Sequence, residues 1–153
     1  MTNELNQNFL ADYDERVIAL AQHLNISLEP DFSNVDEETT EEEQEEQRAE
    51  AIKEVTDELD NIVEDYDNRF SYYNEEYLVL TDSEADDMED QQLDNYIDEC
   101  IMPEIPEHLQ NYFDDEAWKR DARMDGRGHI ISTYDGCEYE EKVNDTWYYI
   151  YRV

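Results

Sequence analysis

Positive charge is what this sequence has least of: ten Lys and Arg stand against 45 Asp and Glu, a formal net charge of −35 over 153 residues. That shortage excludes ordinary nucleic-acid binding, in which basic side chains neutralise phosphates. Glycine and proline are scarce too, three of each, which excludes a linker-like chain. Two cysteines, Cys100 and Cys137, supply no disulfide framework. No apolar run approaches the ~20 residues that cross a bilayer, and no basic stretch leads into an apolar one as a secretory leader requires. The expectation is a cytoplasmic protein with no membrane partner. His23, His108 and His129 are scattered outside any HExxH pattern, and no CxxC pair exists. Asp65, Asp67 and Glu76 have the spacing of a calcium loop, but Phe70 stands where such a loop needs glycine. No enzyme, cofactor or metal is expected.

What is present is a large apolar fraction. Disordered acidic chains are poor in aromatics and aliphatics, whereas here 12% of residues are aromatic and 39% hydrophobic. The chain can bury a core and keep an acidic surface. Leu5, Phe9, Tyr13, Val17, Leu20 and Leu24 recur at helical spacing and predict a helix over 4–24. A loop follows to Thr40, which can cap a long second helix with Glu43 at the capping-box position. Its apolar stripe is Ile52, Val55, Leu59, Ile62, Val63 and Tyr66. Tyr72–Leu80 reads as a strand, and Thr81-Asp82 opens a third helix ending before Pro103. Pro106 suits the first turn of a fourth helix, bearing Leu109, Phe113 and Ala117.

Six of the ten basic residues lie in the last 35 positions. There His129–Tyr134 and Asp145–Tyr151 read as strands, with turns at Asp135-Gly136 and Val143–Asp145. The fold class expected is α+β, a mainly helical acidic body with a small C-terminal antiparallel sheet. The organisation expected is an acidic helical region over 1–70 and an α+β region over 71–153.

On the second helix Glu43, Glu46, Glu50, Glu54, Asp57 and Glu64 fall opposite the apolar stripe at ~100° per residue. Carboxylates three and four residues apart lie ~5–6 Å from one another, so such rows approximate rows of phosphates. The chain's −35 charge matches the phosphates of roughly 60 Å of duplex DNA. A DNA-mimicking inhibitor of a DNA-binding protein follows. A restriction–modification enzyme and a CRISPR effector both fit that description. An acidic module that sequesters some other basic partner needs the charge but not the spacing.

Ile105–Ala122 reads IPEHLQNYFDDEAWKRDA. This segment resembles the ArdA-type antirestriction proteins, with Ile105, Pro106, Glu107, Leu109, Tyr112, Phe113, Asp114, Glu116, Ala117, Arg120 and Asp121 matching. The resemblance extends over residues 77–153. It implies a DNA mimic, usually dimeric, that inhibits type I restriction–modification enzymes. Leu109, Tyr112, Phe113 and Trp118 are the apolar and aromatic residues of the segment, expected to serve the fold or self-association.

Overall fold

The computed structural model describes residues 8–153. Asp14 has extended backbone and its carboxylate accepts the Arg16 amide at 2.8 Å, which starts helix α1, Glu15–His23. The expected continuous helix over 4–24 is therefore two pieces, a 3-10 turn Asn8–Asp12 and α1. Leu5 lies outside the described residues. Phe9, Tyr13, Val17 and Leu24 still pack against the core around fully buried Leu20. Asn25, at φ 60°, ends α1 in a Schellman motif: its amide donates to Gln22 and the Ile26 amide to Ala21.

Thr40 caps α2, Glu41–Leu59, by accepting the Glu43 amide. Ala51, Val55 and Leu59 are its buried residues. The apolar stripe expected to run on as helix does not. Residues Ile62–Tyr66 form strand β1 instead, paired with β2, Arg69–Tyr72. The reason lies in the turn: Asp67 and Asn68 both take positive φ, 41° and 66°, the geometry of a tight hairpin that matches strand twist. Strand β3, Glu75–Thr81, follows across a second turn at Tyr73. Position 70 thus lies within β2, between its partners β1 and β3.

Helix α3, Asp82–Tyr96, opens on a complete capping box between Thr81 and Glu84. It passes through a π turn, Ile97–Ile101, before Pro103. The fourth helix is split. Glu107–Tyr112 is a 3-10 turn, and Asp114 restarts the chain as α4, Asp115–Arg123. Residues His129–Tyr134, expected as a strand, begin inside α5, Arg127–Ile131. A Cβ on buried Gly128 would lie 2.7 Å from the backbone of Cys137 and Glu138, so glycine is what lets the returning chain touch this helix. Strands β4, Tyr139–Val143, and β5, Thr146–Arg152, meet at the expected turn around Asn144.

The fold is α+β. One antiparallel sheet, ordered β1-β2-β3-β5-β4, takes three of its strands from the middle of the chain. Strand β3 is buried on both faces. Tyr77 and Val79 meet α1 and α2, while Leu78 and Leu80 meet Ala85 of α3, Ile131 of α5 and Tyr151. No helix of the described residues is long and apolar enough to cross a membrane.

Tyrosine compensates for the missing cations. The hydroxyls of Tyr13, Tyr72, Tyr77, Tyr148 and Tyr151 donate to Asp60, Glu58, Glu75, Glu15 and Glu138. These neutral donors satisfy carboxylates without a counter-charge. The bond to Glu58, with burial, pushes the Tyr72 phenol up to about 12. Burial, with the bond to Glu15, takes Tyr148 to about 12. Burial also raises Tyr77 and Tyr151. An unfolded tyrosine ionises near pH ~10. Between about pH 10 and pH 12 the folded chain therefore holds more protons than the unfolded one, and stability present in full below pH ~10 is lost as pH rises through that window. Denaturant midpoints should fall steeply there, as tyrosinate absorbance rises. A midpoint unchanged between pH ~9 and ~11.5 would disprove the assignment.

Candidate functional site

The ten basic residues are not spread evenly over the acids. Asp82, Asp86, Asp90 and Asp94 recur every fourth residue on α3, and Lys119, Arg123 and Arg127 do the same on α4 and α5. The two rows run antiparallel and interlock. Lys119 pairs with Asp94 and with Asp90 at 3.3 Å. Arg123 reaches Asp90 at 2.6 Å and buried Glu89 at 3.4 Å. Arg127 reaches Asp86 at 3.0 Å, Asp82 at 2.7 Å and Glu138 at 2.8 Å. Burial pushes the Glu89 carboxyl up, against the pull of Arg123.

Arg16 ties α1 to the start of α3, donating to both Glu84 oxygens at 2.7 and 2.9 Å. Burial alone would raise the Glu84 carboxyl, but the bonds from Arg16 and Thr81 outweigh it and hold it below its ordinary value. Arg69 and Arg152 pair with Glu76 and Glu75 at the sheet. Six of the chain's cations are thus committed to joining α1, α3, α4, α5 and the sheet.

Helix α2 receives almost none of this. Its sequence carries nine acids against Arg48 and Lys53, along about 28 Å at 1.5 Å per residue. Glu43, Glu46, Glu50 and Glu54 are exposed and opposite the buried Val55 and Leu59. Among the described residues none of the four forms an ion pair. Two members of the expected row differ. Asp57 is held by Lys53 at 3.1 Å in an exposed i,i+4 pair. Glu64 is not on the helix at all, because the helix ends at Leu59 and Glu64 sits on edge strand β1.

The residues of the 105–122 segment divide. Leu109 is 44% and Tyr112 84% exposed. Phe113 is half-buried, and Trp118 lies stacked on Tyr96, the ring centroids 5.4 Å apart and nearly parallel. Among the described residues no group of three or more His, Cys, Asp or Glu is arranged to hold a metal ion. The spacing of Lys119, Arg123 and Arg127 at i,i+4 is the signal in the sequence for the α3 clasp.

A family model described as Antirestriction protein (ArdA) matches residues 2–136. The match extends N-terminally well beyond the 77–153 region that carries the resemblance, into the N-terminal helices, and ends at residue 136. No curated protein and no solved structure matches the chain. Matched over nearly its whole length, the chain belongs to the ArdA family of antirestriction proteins.

Proposed function

We propose that this protein inhibits a type I restriction–modification complex by laying the carboxylate face of α2 in the groove that otherwise holds DNA. The observation that carries this reading is the division of charge. Six of the ten cations join elements inside the fold, and the exposed carboxylates of Glu43, Glu46, Glu50 and Glu54 form no ion pair among the described residues, with only Arg48 and Lys53 as basic residues on their helix. The residues act as ligands and not as catalysts. Glu43, Glu46, Glu50 and Glu54 stand in for phosphates, and the basic side chains that would clamp a duplex clamp them instead. The −35 charge draws the inhibitor toward a basic cleft at long range and speeds encounter.

A row of this kind is salt-sensitive, because exposed charges are screened. Binding to a purified type I complex should weaken by at least about tenfold from 0.05 to 0.5 M salt. An affinity independent of salt would reject the reading and point to an apolar interface.

A further inference from the structure

Five aromatic rings of the described chain carry an Arg or Lys of the chain itself: Tyr148, Tyr66, Tyr149, Trp147 and Tyr134. The Tyr96–Trp118 stack carries none, although Tyr96 is 52% exposed. The pair forms a wall of a groove between α3, α4 and α5, lined also by Gln92, Leu93, Ala122, Asp125, His129 and Ile130. Asp125 is exposed and forms no ion pair among the described residues. We propose that this groove receives an arginine side chain from the restriction–modification complex bound by α2; the inference rests on that reading.

Charge complementarity selects the occupant. A guanidinium is planar, stacks on an aromatic face, and can give its N–H groups to Asp125 while its methylene stem lies against Leu93 and Ile130. A purely apolar segment would bury Asp125 without a partner. The groove adds to the phosphate-like row an aromatic anchor of the kind that dominates protein interfaces.

The test measures binding to a purified type I complex over a range of salt, with Tyr96→Ala, Tyr96→Phe and the α2 variant Glu46→Gln/Glu50→Gln/Glu54→Gln. Melting temperature and solution mass are followed for each. Tyr96→Ala should bind about tenfold or more weakly at every salt concentration, with the salt slope, fold and mass unchanged, and Tyr96→Phe should bind like the parent. If Tyr96→Ala binds like the parent while the α2 variant weakens, the groove assignment falls and the α2 reading stands. A change of mass in Tyr96→Ala assigns the groove to a second copy and overturns the proposal. If neither variant weakens binding, or the parent does not bind, both readings fall.

Discussion

The triple variant Glu46→Gln/Glu50→Gln/Glu54→Gln should lose at least about 2 kcal/mol of binding to the restriction complex, roughly thirtyfold in Kd. Each of these carboxylates is exposed and without an ion-pair partner in the described residues, so nothing inside the fold depends on it. The comparison variant is Asp98→Asn/Glu99→Gln/Glu104→Gln, on the exposed turns after α3. Both remove three charges and weaken long-range steering alike. Only the first removes contacts that lose their water on binding, and that loss shows chiefly as faster dissociation. The melting temperature of the α2 variant should stay the same or rise, since self-repulsion falls. Equal losses in the two variants would make the protein an unshaped polyanion.

Arg127→Ala should damage the fold strongly. Its guanidinium is 15% exposed, bridges Asp82, Asp86 and Glu138, and lies over the Tyr149 ring at 4.7 Å. Removing it leaves three carboxylates facing one another beside buried Glu89. Breaking a buried pair by deleting one partner costs ~3–5 kcal/mol. Asp82 and Asp86 are themselves 68% and 64% exposed, so solvent relieves part of that, and a loss of about 3 kcal/mol is expected. For a chain of this size that lowers the melting temperature by roughly 6–12 °C. Arg127→Lys keeps the charge but loses the fork that spans three carboxylates, and should fall between. An alanine variant that melts with the parent would show that the clasp contributes nothing.

The helix starts were legible because they are local. Thr40 and Thr81 each place a hydroxyl three residues before a glutamate, and both cap helices. The central strand was legible from its aromatic and β-branched run. The β1–β2 hairpin and α5 were not. Ile62, Val63 and Tyr66 continue the period of α2 well enough to read as helix, and only the Asp67-Asn68 turn, with both residues at positive φ, argues for a hairpin. His129-Ile130-Ile131 is β-branched enough for a strand, yet it folds as helix. The ion pairs of Arg127 and the backbone approach at Gly128 override local propensity there. The acidic row on α2 could be read from periodicity alone. Which acids are free of partners could not, because that depends on where α4 and α5 place their cations, and on Lys53 taking Asp57.

The most direct measurement is competition with DNA. A labelled duplex bound to a purified type I restriction–modification complex is titrated with the parent protein and with the α2 triple variant, and a control titration contains duplex and inhibitor only. The expected result is displacement whose midpoint rises in proportion to the duplex concentration, a weaker displacement by the triple variant, and no binding of the duplex by the inhibitor itself. A ternary complex of enzyme, duplex and inhibitor, or direct binding of the duplex by a chain of charge −35, would contradict a mimic that occupies the DNA groove.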